Sequence, residues 1–136
     1  MSYAVSGPLQ EAIFQLLQGD AALSGLVGGA IYDAVPSGAL PPTYVVLGEE
    51  DVRDRSDKDG GGALHDLVIS VITDAAGFAG AKATAGAVCD VLLGVPPVLS
   101  RGRIVGLWFL KAQARRVGTG AQRRIDLRFR AQTEDN

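Results

Sequence analysis

The residue types that most often perform acid–base or nucleophilic chemistry are scarce in this sequence. It contains one histidine, His65, and one cysteine, Cys89. A zinc site needs three or four ligands, so a single histidine without a nearby cysteine predicts no zinc site. His65 precedes a β-branched run and fits the start of a strand, while Cys89 lies among apolar residues and fits a small buried hydrophobe. No GxSxG elbow for a serine nucleophile is present.

The glycine-rich segments lack the spacing of ligand-binding loops. A P-loop requires GxxxxGK followed by serine or threonine, and the segment from Gly80 to Ala83 breaks that pattern. The acidic segment matches three positions of a calcium loop: Asp57, Asp59 and Gly60. The first ligand would then be Arg55, a cation, and the last would be Asp66, which is shorter than the usual bidentate glutamate. The sequence therefore predicts no metal and no cofactor.

Arginine is the side chain whose distribution suggests a function. Residues 1–100 carry 4 basic and 12 acidic side chains, whereas residues 101–136 carry 9 basic and 3 acidic ones. Arginine forms bidentate contacts to carboxylates and phosphates. Three interpretations remain open: a protein interface, a nucleic-acid surface, or a solvated face whose charges pair within the fold. The formal net charge of −2 argues against a free nucleic-acid binder, which is usually basic.

We predict an interface formed by the charged residues of two segments. The acidic segment contributes Glu49, Glu50, Asp51, Arg53, Asp54, Arg55 and Asp57, and the basic segment contributes Arg101, Arg103, Arg115, Arg116, Arg124, Arg128 and Arg130. A head-to-tail contact between copies needs two different, complementary surfaces, which these segments would supply. Apolar contact area is expected on the long strands beside them, near Tyr44, Val46, Trp108 or Val117.

The segment from His65 to Leu93 organises the predicted fold. Its first part, residues 66–73, is short and β-branched, so it predicts a strand that is buried on much of both faces. Its second part, residues 78–93, is rich in alanine and free of proline, and predicts a helix of about four turns. Spacings of three and four residues place four side chains on one helix face: Ala81, Ala85, Val88 and Leu92.

Helices are expected before this unit and strands around it. Ser6 is expected to cap a first helix that ends at Gly19, and Asp20 to cap a helical turn over residues 21–27. Further strands are predicted over residues 43–54, 103–117 and 123–132, and a mobile loop over residues 55–62, while Ile31 and Tyr32 fit a very short edge strand. In the last strand Ile125, Leu127, Phe129 and Ala131 alternate with charged residues, which predicts one face on the core and one in solvent.

The expected fold is α+β, with one domain over residues 1–136. It has a single, mainly antiparallel four-stranded sheet of two long hairpins with helices packed on one face, in the order α-α-β-β-α-β-β. No apolar run approaches the roughly 20 residues of a membrane helix, and the N-terminus has no secretory pattern, so we expect no membrane contact and synthesis in the bacterial cytoplasm.

Five segments taken in order carry a family resemblance. They are LQEAIFQLLQGDAALSGLVGGAIYDAVP, PPTYVVLGEEDVRD, HDLVISVITDAAG with the alanine-rich helix after it, GRIVGLWFLKAQARRV and IDLRFRA. In this order they resemble the tail terminator, or tail-completion, proteins of long-tailed phages and gene transfer agents. The resemblance covers almost the whole chain and rests on its ordered extent, since none of the segments is a catalytic motif.

The resemblance implies a structural virion protein without enzyme activity or cofactor. Proteins of this kind form a six-membered ring on the tail tube, which stops tube growth and gives the head connector a surface on which to dock, while DNA passes through the hole. The implied partners are further copies of the chain, the tail tube protein and the head connector, at the head–tail junction of the virion. A non-specific nucleic-acid-binding module that uses the arginine-rich C-terminal hairpin remains the alternative.

Overall fold

The computed structural model describes residues 3–58, 60–118, 120 and 122–135, so Asp59 of the calcium-loop comparison lies outside the described residues. Within this part of the chain there are three helices and five strands. In chain order they are α1 (Ser6–Gln18), α2 (Ala21–Val27), β1 (Ile31–Tyr32), β2 (Thr43–Asp54), β3 (Gly61–Thr73), α3 (Ala79–Leu92), β4 (Arg103–Arg116) and β5 (Arg123–Asp135). The predicted α+β class and both long hairpins are confirmed.

The sheet has five strands in the described residues, in the order β1-β2-β3-β5-β4, so the prediction of four strands is wrong by one. The added strand is β1, whose Ile31 and Tyr32 run parallel to Val45 and Val46 of β2 and make the sheet mixed. Gly28 and Gly29 adopt positive φ values of 62° and 81° after α2, a backbone conformation that favours glycine. This turn directs the chain to the edge of β2.

The last strand, β5, lies between β3 and β4 rather than at the edge of the sheet. Its alternate residues Ile125, Leu127, Phe129 and Ala131 are all buried, as the sequence pattern predicts. A central strand has neighbours on both sides, so a clean apolar face of this kind is buried most completely there. The less regular β4 remains at the edge.

The helices form a layer against the sheet face that carries Val45, Val71 and Leu127. All four residues predicted to share one face of α3 are buried. Two of them are alanines, and small side chains let a helix lie close to the strands beneath it. The core therefore lies between β2, β3 and β5 and the three helices.

Two local predictions near the helix starts have different outcomes. Asp20 caps α2, because its Oδ2 accepts a hydrogen bond of 2.9 Å from the backbone N–H of Leu23. Ser6 does not cap α1; Val5 occupies that position, and Ser6 is buried in the first turn with its hydroxyl donating to Glu50. The hydroxyl of Ser6 thus binds a carboxylate from the sheet instead of a helix N–H.

The predicted loop over residues 55–62 is shorter in the structure, because β3 already begins at Gly61. The hydroxyl of Ser56 donates to Asp54 at 2.6 Å and accepts the backbone N–H of Gly62 at 3.2 Å. A Cβ atom at Gly62 would lie 2.8 Å from the carbonyl oxygen of Arg55. Glycine at this position therefore permits a close backbone approach inside a hydrogen-bonded hairpin.

Candidate functional site

The strand β4 is the least covered element of the sheet. It pairs with β5 along one edge and has no strand partner along the other edge in the described residues. From Trp108 to Arg116 every residue is exposed, whichever face of the sheet it is on. Four large apolar residues of β4 are 43% to 47% exposed: Val105, Trp108, Phe109 and Leu110. Long apolar edge strands usually have a partner, so β4 is the strongest candidate for an interaction surface.

The aromatic side chains of β4 are held on opposite faces of the sheet. Phe109 lies opposite Phe129 on the helix side, and the two rings meet edge to face with centroids 5.9 Å apart. Trp108 lies opposite Arg130 on the other side. A Cβ atom at Gly106 would lie 2.5 Å from the Trp108 ring, so glycine lets the indole lie along the strand. Gly106 thus makes room for the ring of Trp108, and the buried ring of Phe129 positions the ring of Phe109.

Two irregularities in the β4–β5 pairing expose further apolar side chains. The register shifts between Ile104 and Gly106 and again between Phe109 and Lys111. The residues passed over are Val105 and Leu110, both exposed. The extra residue of a β-bulge is left unpaired, and the bulge increases the local twist of the strand. β4 therefore presents apolar groups from both faces and from its two bulges.

Most of the predicted basic interface residues are paired with carboxylates of the same chain. The ion pairs are Arg101 with Asp135 at 2.8 Å, Arg103 with Glu134 at 2.7 Å, Arg115 with Asp126 at 3.4 Å, Arg124 with Asp126 at 2.7 Å and Arg130 with Asp66 at 2.8 Å. Arg116 and Arg128 are exposed and have no ion pair in the described part of the chain. The interpretation in which charges pair within the fold thus accounts for five of the seven basic residues.

Two of these carboxylates, Asp66 and Asp126, lie with their arginines on the sheet face opposite the helices. The hydrogen bond from Arg130 lowers the pKa of Asp66, whose other neighbours include Arg53 at 3.7 Å. Burial alone would raise the pKa of Asp126, but hydrogen bonds from Ser70 and Arg124 lower it. Both carboxylates are therefore ionised near neutral pH and hold their arginines in place. Fewer free cations remain on this face than the sequence suggests.

The acidic segment divides into an exposed set and one inward residue. Glu49, Asp51, Arg53, Asp54, Arg55 and Asp57 are exposed. Glu50 is directed inward, because the register of β2 against β3 shifts between Leu47 and Glu50. One extra residue reverses the alternation of side chains between the two faces. Of the apolar positions expected beside the interface, Trp108 is exposed, whereas Tyr44 is buried within the chain.

Glu50 belongs to a polar cluster around buried His65 that sequence reasoning missed. His65 lies inside β3, not at its start, and is 1% exposed. Its Nε2 is 2.9 Å from Oγ1 of Thr133, and its Nδ1 is 3.5 Å from Oε2 of Glu50. Glu50 also accepts hydrogen bonds from the hydroxyls of Ser6 and Tyr3. The cluster therefore ties the start of α1 to the bulge of β2.

The sequence does contain a signal for this burial. His65 lies two residues before Leu67 and four before Ile69, so strand alternation puts all three on one face. The carboxylate of Glu50 beside an imidazole resembles an acid–base pair, but the almost complete burial of His65 keeps substrate away from the ring. The cluster supports a structural role.

Burial lowers the pKa of His65 below its ordinary value of about 6.5, and Glu50 opposes this only in part. The unfolded chain then takes up a proton at a higher pH than the folded chain. The contribution to stability is fully present above pH ~6.5 and is lost as the pH falls below that value. We expect the free energy of unfolding to decrease by up to about 1.4 kcal/mol per pH unit in that range.

Urea denaturation at a series of pH values checks this expectation. The variant His65→Gln keeps an amide that can bond to Thr133 but does not titrate, so it should lose most of the slope between about pH 6.5 and pH 5. An unchanged slope in His65→Gln would show that other groups produce the pH dependence.

No cluster of three or more histidine, cysteine, aspartate or glutamate side chains suited to a metal ion occurs among the described residues. Helices long and apolar enough to span a membrane are likewise absent from that part of the chain.

Comparison with known proteins adds two findings. Residues 11–134 match the family described as tail completion protein gp17. Among solved structures, a chain described as part of the "virion of native gene transfer agent (GTA) particle" is 66% identical, with a TM-score of 0.93. The match covers 98% of the present chain and 99% of that chain. A comparison with curated proteins gives no match.

Proposed function

The chain belongs to the tail completion protein gp17 family, and from this membership we propose that it forms a six-membered ring that caps the tail tube of a virion. At the coarser level the chain is a structural protein of a virion tail, in agreement with its 66% identity to a chain of a gene transfer agent virion. The ring ends tube growth, offers the head connector a docking surface, and leaves a central hole for DNA. Its partners are its own copies, the tail tube protein and the head connector.

The observation that carries the ring proposal is the uncovered strand β4. An edge strand with exposed Trp108, Phe109 and Leu110 would be prone to uncontrolled pairing in a protein that stays monomeric. In a head-to-tail ring each copy contributes two unlike surfaces, and closure of the ring leaves neither of them free. Exposed ion pairs contribute only about 0–1 kcal/mol each, so apolar contacts over roughly 800 Å² per partner must supply most of the affinity.

The nucleic-acid-binding alternative gains no support from the geometry. Phosphate binding needs cations that are free to replace counterions, and five of the basic interface residues already bind carboxylates of the same chain. The described cluster offers an enzyme no accessible histidine, since His65 is 1% exposed. Both considerations favour the structural role that the family indicates.

Removal of the chain from virion-producing cells tests the proposed function. Without the ring, tube growth has no stop and heads have no surface to join, so we expect tails of irregular or excessive length and unattached heads. Electron microscopy of the particles measures both. Complementation with the wild-type chain, and with a variant changed only at exposed Asp90 of α3, should restore normal particles. Normal, head-bound tails in the absence of the chain would refute the proposal.

A further inference from the structure

We infer that β4 of one copy pairs, antiparallel, with residues 47–54 of β2 in the next copy, so that the sheets of neighbouring copies are continuous. This inference rests on the proposed ring and names the contact that closes it. It requires a second free edge on the same sheet, compatible strand directions, a matching level along the strands, and complementary charges.

The free part of β2 supplies the second edge. β1 pairs only with Val45 and Val46 of β2. Beyond them, residues 47–54 pair with β3 on one side and have no strand on the other side in the described part of the chain. Their backbone N–H and C=O groups along that edge can accept another strand. Each copy therefore has one open edge at β4 and one at the far half of β2.

The strand directions are compatible with such a joint. β2, β3, β5 and β4 are each antiparallel to the next, so β2 and β4 run in opposite directions within one copy. Rotation about a ring axis places a second copy beside the first with the same strand directions relative to that axis. β4 of one copy then meets β2 of its neighbour in the antiparallel sense, which forms regular ladder hydrogen bonds.

The strand register across the sheet shows which residues of β2 and β4 lie at the same height along the strand direction. Residues at the same height are called level with each other. Leu47 lies opposite Ile69, Ile69 opposite Leu127, and Leu127 opposite Ala112. Asp54 is connected to Ile104 in the same way, through Ala63 and Thr133. Residues 47–54 of β2, whose outer edge is open, are therefore level with residues 104–112 of β4. That part of β4 contains all four of its exposed large apolar side chains.

The bulges and charges agree with this alignment. Glu50 is level with Phe109 and Leu47 with Ala112, so the β2 bulge at Gly48 and Glu49 is level with Leu110 and Lys111. Counted from these pairs, exposed Glu49 of one copy lies opposite Leu110 of the next and one residue away from exposed Lys111. Asp54 meets the start of β4, next to Arg103. A bulge at the same level in both strands lets the register resume on either side.

Pairing of two β4 edges is disfavoured by the same charges. An antiparallel β4–β4 contact centred on Phe109, the middle of the exposed run from Trp108 to Leu110, would place Arg103 of one copy opposite Arg115 of the other. Like charges directly opposite each other destabilise a strand pair. Contact between the acidic edge of β2 and the basic edge of β4 avoids this and is head-to-tail, as a ring requires.

Cysteine cross-linking in assembled particles tests the contact. The variant carries Glu49→Cys and Leu110→Cys, which this alignment places opposite each other, with Cys89→Ala to remove the native thiol. Opposite residues in an antiparallel pair have Cα atoms about 4.5–5.5 Å apart, within the range that a disulfide spans. After mild oxidation we expect a ladder of linked chains that ends at six and accounts for most of the protein. A control with Asp90→Cys in place of Glu49→Cys should remain monomeric on a denaturing gel.

The outcomes distinguish the contact from the ring. A ring at the tail end without the ladder, or equal cross-linking in the control, overturns the contact and leaves the proposed function standing. Particles without any ring of this chain overturn both. If the cysteine variant does not assemble, charge reversal at the same contact provides the test. Glu49→Lys and Lys111→Glu should each reduce assembly several-fold, and the double variant that carries both changes should restore it. A double variant as defective as the single ones also overturns the contact.

Discussion

Replacement of Phe109 by alanine is expected to reduce incorporation of the chain into particles at least about thirtyfold while the chain remains folded. The ring of Phe109 is 43% exposed on a strand that lacks a partner along its outer edge in the described residues. Buried aromatic anchors at interfaces commonly contribute about 2 kcal/mol or more, which corresponds to this factor in the binding constant. The loss of its contact with Phe129 should cost only about 0.5–1.5 kcal/mol of stability.

The Phe109→Ala result needs a control variant that removes a similar amount of exposed apolar surface outside β4. Leu26 on α2 is 46% exposed and lies outside β4, so Leu26→Ala removes a similar amount of exposed apolar surface. Incorporation is measured as the amount of chain per purified particle, and folding by circular dichroism. Normal incorporation of a folded Phe109→Ala variant would remove β4 as an assembly surface, and an equal defect in Leu26→Ala would make the effect non-specific.

Replacement of Phe129 by alanine should have the opposite consequence and strongly lower the stability of the fold. Phe129 is 0% exposed in the central strand β5, where its ring packs in the main core. Removal of such a ring costs about 3–5 kcal/mol, through lost transfer energy and the cavity that remains. A domain of this size has a total stability of about 5–15 kcal/mol, so the variant loses a large share of it.

Urea denaturation of Phe129→Ala and Phe109→Ala side by side measures this difference. The two residues face each other in the β4–β5 pairing and undergo the same chemical change, so they form a matched pair. We expect a much lower unfolding midpoint for Phe129→Ala than for Phe109→Ala. Similar midpoints would mean that β4 and β5 contribute equally to the core, contrary to their burial.

The sequence alone determined the parts of this protein that depend on local pattern. Period-two alternation identified the buried face of β5, and spacings of three and four residues identified the buried face of α3. The ordered segments identified the tail-completion family, which the match over residues 11–134 confirms. These features follow from neighbouring residues, whose geometry is fixed by helix and strand periods.

Only the tertiary structure decided how the two hairpins and β1 are ordered in the sheet, and which charged side chains pair within the chain. β5 and not β4 is central, and β1 joins in parallel, because strand order depends on packing between distant segments. Arg130 with Asp66 and His65 with Glu50 come together through strand pairing across the sheet. The bulge in β2 turns Glu50 to the helix side of the sheet, next to buried His65. One extra residue changes the face of every side chain after it, and composition carries no record of where that residue will be placed.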